Sequence, residues 1–395
     1  MFASLNRDEK YVVLSIFYIF VLLGLYALVV GCILPMLREE YGVSYEFGGL
    51  LISINAVGNF TMSIVASYTA IYFGLKNAYW IQHTFVIFGF ALLAVSGRPV
   101  ALMAGMLLMG LARGAVGNYS NQIVNDMTRS NSRAMNLLGV FFAVGACAAP
   151  LLVMLFTRDG GGGWKYALGV SAVASAAGIA LTLFMKIDNS MKRGREADSR
   201  LSMAFFRDKV FWVSVGLLFS YTSVETSIIG WISSYFLDIQ PEGGSWAQSM
   251  SLLVWVSLLA GRVACSAIAN RLSTASLLLG LSIGTAAFFA LLMAAGQGAL
   301  LFVASVGLGF FMSGIYSTVI ANAGHIFSRY RLAFGFYITI SGIGAIIMPS
   351  VVGVIAEGHG IQSGIKAISV CVATLVLFSI WNVFLKREGP RVVRA

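Results

Sequence analysis

Glu225 is the most chemically conspicuous residue of this sequence, because it stands in the middle of an apolar run over residues 210–237, in the stretch YTSVETSIIGWISSYF. A carboxyl group there can bind and release a proton, or accept hydrogen bonds from hydroxyl groups. The plainer alternative is a carboxyl paired with a neighbouring helix for packing or gating. Arg113 lies as deep in the run at 100–124. It is suited to holding an anionic group, or to pairing with Glu225 and governing its proton; a structural pair or a cap on free carbonyls is the alternative. Asn118, Asn121 and Asn125 recur at i, i+3 and i+7, which places them on one face of a helix. Each offers a donor and an acceptor to a hydroxylated ligand, or to a neighbouring helix. Asn55 and Asn59, at i and i+4, are expected to serve packing. Tyr26, Trp231, Tyr316 and Tyr337 are candidates for stacking on a ring, against packing or interfacial anchoring.

The elements that position these residues are long apolar segments. A membrane-crossing helix needs about 20 mostly apolar residues. Such runs fall at 11–35, 46–73, 78–96, 100–124, 134–156 and 165–185, then at 210–237, 247–269, 274–295, 298–322, 332–356 and 364–385. The first is too long for a signal core and is expected to be a retained span. The polar segment 186–209, KIDNSMKRGREADSRLSMAFFRDK, divides the runs six and six. The expected organisation is a six-helix bundle at 1–185, a cytoplasmic linker at 186–209 and a second six-helix bundle with a short tail at 210–395. Leu201, Met203, Phe205 and Phe206 interrupt the linker's charges and suggest a short amphipathic helix in it.

Composition agrees with a lipid-facing chain. Hydrophobic residues make up 58% of the 395 positions and charged residues 11%, where a soluble domain carries about a quarter charged residues. Placing the N-terminus in the cytoplasm puts 19 basic residues in cytoplasmic segments and 5 in outside loops. That asymmetry predicts both termini inside, and it accounts for the net charge of +10 without nucleic acid. Cys32, Cys147, Cys265 and Cys371 lie far apart inside apolar runs, and His83, His325 and His359 are scattered. No metal site, disulfide framework, cofactor motif or reactive constellation is expected. An enzyme is therefore not the reading.

The two halves repeat. GLARGAVGNYSNQIVN from Gly110 and GLGFFMSGIYSTVIAN from Gly307 share seven identities at an offset of 197, among them Gly117 with Gly314, Tyr119 with Tyr316 and Asn125 with Asn322. Gly145-Ala146 and Pro150 match Gly344-Ala345 and Pro349 at an offset of 199. Duplicated membrane bundles of this kind place a ligand site between repeats.

With twelve spans, a central charged loop and this repetition, the whole chain resembles the major facilitator superfamily. Arg113-Gly114-Ala115-Val116-Gly117 is similar to the family's helix-four Arg-x-x-x-Gly motif, and Asn270-Arg271 after Ser266 resembles the second copy of its Gly-x-x-x-Asp-Arg loop. In the first copy, Ile71 and Tyr72 occupy the Asp and Arg positions. The helix-four ending Tyr-Ser-Asn-Gln and the segment from Gly309 to Tyr316 resemble the fucose-permease-like branch, which includes sugar–proton symporters. That resemblance makes Asn121 a sugar ligand. The branch's two proton-coupling carboxylates are absent, Gly31 and Gly117 standing in their places.

The resemblance implies an all-α membrane protein of two pseudo-symmetric bundles. It would work as a monomer in the inner (plasma) membrane and move a small-molecule substrate by alternating access. A sugar or sugar derivative is the first expectation, with proton coupling through Glu225 and Arg113, and with Asn118, Asn121, Glu225, Trp231, Tyr316, Tyr26 and Tyr337 at the substrate. An organic-anion transporter anchored by Arg113, a proton-driven drug efflux antiporter and a membrane sensor are the alternatives.

Overall fold

A computed structural model of the chain describes residues 5–128, 132–157, 162–187, 203–240, 244–268, 271–296, 298–330 and 333–388. Fifteen α-helices and one 3-10 turn are found among them. The first six are α1 (Arg7–Tyr41), α2 (Tyr45–Phe73), α3 (Leu75–Val95), α4 (Pro99–Met127), α5 (Ser132–Thr157) and α6 (Trp164–Phe184). After the turn at Ala204–Arg207 come α7 (Lys209–Ile239), α8 (Gly244–Ile268), α9 (Thr274–Ala294), α10 (Ala299–Met312), α11 (Ile315–Asn322) and α12 (Gly324–Arg329). The last are α13 (Ala333–His359), α14 (Ile361–Ala367) and α15 (Ser369–Glu388). Among the described residues, twelve segments are long and apolar enough to cross a membrane. In lipid the backbone must satisfy its own hydrogen bonds, which is why apolar runs of this length become helices.

The ends of the helices obey local chemistry. Asn6 caps α1 by accepting from the Glu9 amide at 2.8 Å, while Glu9 Oε2 accepts from the Asn6 amide at 2.8 Å. Gly42 ends the same helix at φ 65°, a left-handed conformation that glycine adopts without a Cβ penalty.

Two spans are built in two pieces. The tenth, Ala299–Asn322, holds α10 and α11, and Ser313 and Gly314 between them keep right-handed helical backbone angles (φ −60°, ψ −38° and φ −92°, ψ −9°), so one span runs through both. Its repeat mate α4 is continuous. Hydroxyls add bonds at the junction: Ser313 Oγ donates to the Phe310 carbonyl at 2.7 Å, and Thr318 Oγ1 to that of Gly314 at 2.6 Å. The twelfth span, Ile361–Leu385, combines α14 with most of α15.

The chain divides into two compact units. One holds residues 1–195 with 230–252, the other 196–229 with 253–395. In the first, α2 packs on α4, α1 on α5, and α3 on both α4 and α6. In the second, α9 packs on α10, α11 and α15, and α13 on α14. Both use glycine for close approach, as membrane helices do. Gly145 lies against the Val21 carbonyl, and its repeat mate Gly344 lies against that of Phe219. Gly58 meets the Leu107 carbonyl, and Gly261 that of Phe310.

Residues 188–202 of the central linker lie outside the described residues, Leu201 among them. Residues 204–207 form one 3-10 turn rather than an amphipathic helix. Phe205 is wholly buried there, with ring centroids 5.0 Å from Phe211 and 5.9 Å from Phe336. Large apolar side chains are exposed along the spans, for example Leu14, Phe88, Val173, Val263, Val354 and Leu377. This is the surface of a chain solvated by hydrocarbon.

Candidate functional site

In the second unit, a carboxylate is enclosed by tyrosines. Glu225 on α7 is half-buried, and its Oε1 accepts a hydrogen bond from the Tyr221 hydroxyl at 2.7 Å. The two residues are four apart and so lie on one face of α7. Tyr221 is fully buried, and its ring centroid is 6.4 Å from that of Tyr316 on α11. Tyr316 is 41% exposed and lies in the electrostatic surroundings of Glu225. Arg262 on α8 brings a positive charge near Tyr221. Tyr337 on α13 lies in the electrostatic surroundings of Tyr316, wholly buried, with its ring 5.0 Å from Phe327 and its hydroxyl without a hydrogen-bond partner among the described residues. Thr222 fastens α7 to α13 by donating to the Ser341 carbonyl at 2.8 Å. The cluster thus presents a carboxylate, phenol hydroxyls and one half-open aromatic face, a set that can bind hydroxyl groups and carry a proton.

In the first unit, α4 presents amides. Asn118 is exposed and donates to the Ser63 carbonyl on α2 at 2.8 Å. Asn121 is exposed and donates to the Gly117 carbonyl one turn back at 2.9 Å. Arg113 is half-buried on the same helix. The side chain of Asn125 lies outside the described residues. Its repeat mate Asn322 is buried and exchanges hydrogen bonds with Asn382 at 2.9 and 3.3 Å. Asn55 is buried and donates to the Met106 carbonyl at 3.0 Å, joining α2 to α4.

The structure places two other candidates inside packed surroundings. Tyr26 on α1 is 1% exposed and belongs to a polar chain. Its hydroxyl donates to Ser175 Oγ at 2.7 Å and lies 3.1 Å from His83 Nε2, and Ser175 in turn donates to the Ser171 carbonyl at 2.6 Å. Because the Tyr26 proton is committed to Ser175, His83 is assigned the tautomer that donates from Nε2. Trp231 is wholly buried, its ring 5.8 Å from Tyr45, and a β-carbon on Gly48 would come within 3.0 Å of its tip.

Tyr221 and Arg262 are partners that the sequence pattern alone does not single out. The i, i+4 spacing of Tyr221 and Glu225 is the available signal for the first. Repeat position alone is no guide to exposure. Tyr119, the mate of Tyr316, is 1% exposed, and its hydroxyl lies 2.6 Å from Thr69 Oγ1. Among the described residues, no group of three or more His, Cys, Asp or Glu side chains could hold a metal ion.

The sequence matches the family described as Major Facilitator Superfamily over residues 14–297. No curated protein sequence matches the chain significantly. Among solved structures, it is similar to the nucleoside transporter NupG, with a TM-score of 0.76 at 15% identity, covering 97% of this chain and 100% of that one. It is also similar to a D-xylose–proton symporter, with a TM-score of 0.74 at 13% identity, covering 94% and 97%. A bacterial homologue of the human lysosomal transporter Spinster, inward-facing and unoccupied, gives 0.73 at 14% identity, covering 98% and 100%. At these identities the likeness establishes the fold.

Proposed function

The chain belongs to the Major Facilitator Superfamily and is a multi-pass membrane transporter, not an enzyme, and from this premise we propose that its cargo is a sugar or sugar derivative. Movement is by alternating access, with a proton carried at Glu225. The observation that carries this reading is the Glu225 cluster, a carboxylate in a membrane span with the Tyr221 hydroxyl 2.7 Å away and half-open Tyr316 beside it. A carboxylate accepts hydrogen bonds from vicinal hydroxyls, and an aromatic face covers the apolar side of a sugar ring. Asn118 and Asn121, exposed on α4, supply further donors and acceptors. Arg113, half-buried on that helix, assists in coupling. Tyr26, Trp231 and Tyr337 are buried and present no open face to a ligand. Two of the similar structures are named for nucleosides and for D-xylose with protons. Both cargoes are rich in hydroxyls, which favours the same class here.

The excess of basic residues in alternate loops supports an orientation with both termini in the cytoplasm, in the cell's plasma membrane. The working unit is a single chain, with lipid as its solvent.

A thermal-shift screen of the purified protein against sugars, nucleosides, sugar acids and small carboxylates tests the cargo. A ligand at 100 times its dissociation constant stabilises by about 2.7 kcal/mol. Uptake of the best ligand into proteoliposomes, with and without a pH gradient, then tests coupling. The expected result is stabilisation by a hydroxylated compound and gradient-driven uptake that Glu225→Gln abolishes. Stabilisation by carboxylates alone, or uptake by Glu225→Gln that still responds to the gradient, overturns the proposal.

A further inference from the structure

Tyr221 stands apart from the aromatic residues around it. It is fully buried, so it offers no face to a solute, yet its hydroxyl is committed to Glu225 Oε1 at 2.7 Å. One helix carries both residues on the same face, and the rotamer of the buried Tyr221 ring directs its hydroxyl onto the carboxylate. The position is also crowded. The Tyr316 ring lies 6.4 Å away at an interplanar angle of 50°, and the positive charge of Arg262 is nearby. Tyr337, whose hydroxyl has no partner among the described residues, lies near Tyr316.

We propose that Tyr221 is a positioning residue for proton transfer. It holds the Glu225 carboxyl in one rotamer and stabilises the charged form. The proposal rests on the reading of Glu225 as the proton carrier. The physical basis is the strength of hydrogen bonds to charged groups. A phenol donating to a carboxylate favours the ionised state, because the neutral acid is the poorer acceptor. The titratable groups near Glu225 in its own unit are Tyr221 on α7 and Tyr316 on α11, with Arg262 on α8 near Tyr221 and Tyr337 on α13 near Tyr316. Of these, Tyr221 is the one whose hydroxyl is placed on the carboxylate itself. Replacing it with phenylalanine keeps the ring and removes the donor.

The test needs no identified cargo. The full-length protein in lipid is titrated with pH while the infrared C=O band of protonated carboxyl groups is recorded. Glu225→Gln assigns the Glu225 band by removing it. In Tyr221→Phe, the band is expected to move in frequency, and its midpoint is expected to rise by about one pH unit. Should Tyr221→Phe fail to fold, 3-fluorotyrosine placed at position 221 preserves the packing and donates more strongly, and the midpoint is then expected to fall. An unchanged midpoint and frequency in either variant, with the band still lost in Glu225→Gln, overturns the role of Tyr221 alone. A titration that Glu225→Gln leaves intact overturns the assignment of Glu225 as carrier, and the role of Tyr221 with it. A shift seen equally in Tyr316→Phe ascribes the effect to the general polarity of the cluster and overturns the specific role.

Discussion

The indole of Trp231 lies 5.8 Å from the ring of Tyr45, with the two planes tilted by 44°. The guanidinium carbon of Arg38 sits 3.2 Å from the centroid of the same Tyr45 ring. An aromatic ring receiving a cation in this way gains from its quadrupole as well as from burial. Three residues from the first, second and seventh helices are thereby packed together inside one compact unit.

Trp231→Ala is expected to lower the melting temperature of the purified protein, because removing a buried indole costs about 3–5 kcal/mol. Trp231→Phe should lose less. Thermal denaturation in detergent measures both. A melting temperature unchanged in Trp231→Ala would show that the ring is not packed as described.

Glycine positions carry effects of opposite sign at different sites. A β-carbon at Gly145 would strike the Val21 carbonyl, and one at Gly344 would strike the Phe219 carbonyl and Ser223 Oγ. Backbone cannot yield as a flexible side chain can. Gly145→Ala and Gly344→Ala are each expected to destabilise by about 1–3 kcal/mol. Gly139, in the same helix as Gly145, has nothing within 4 Å of the added carbon. There the alanine removes backbone entropy without a clash, and a gain of up to about 1 kcal/mol is expected. Melting temperatures of the three variants, taken side by side, decide the matter.

Tyr26→Phe removes the central hydroxyl of the chain from His83 to Ser171. His83 Nδ1 already has no hydrogen-bond partner among the described residues. Loss of the Tyr26 hydroxyl would strip Nε2 of its contact at 3.1 Å as well. The expected cost is about 1–3 kcal/mol. Adding His83→Phe should cost less than the sum of the two separate changes, because the stranded ring is then gone. A double-mutant cycle on thermal stability checks this.

The twelve spans are legible in the sequence because hydropathy over about 20 residues integrates many small preferences into one signal. The junction of α10 and α11 within the tenth span is not. Residues 299–322 read as a continuous apolar run, and Ser313-Gly314 carries no proline to mark a stop. The helix-four face bearing Asn118 and Asn121 comes from spacing, and both side chains are exposed. Residue type alone does not separate Tyr316, which is 41% exposed, from Tyr337, which is sealed. That difference arises from how α11 and α13 pack within their unit, and an aromatic ring has the same hydropathy in either place. Tyr221 is within reach of sequence reasoning at its spacing of four from Glu225, but the direction of its hydroxyl depends on a rotamer that spacing does not supply.

The junction between α10 and α11 differs from its counterpart in the other repeat. The fourth span is one helix, whereas its mate is two pieces joined through right-handed backbone, with Tyr316 at the second position of the shorter piece. The hydroxyls of Ser313 and Thr318 keep the joint supplied with bonds inside hydrocarbon, so bending there need not strand a carbonyl. The two copies of this span thus differ in local bonding even where their residues match.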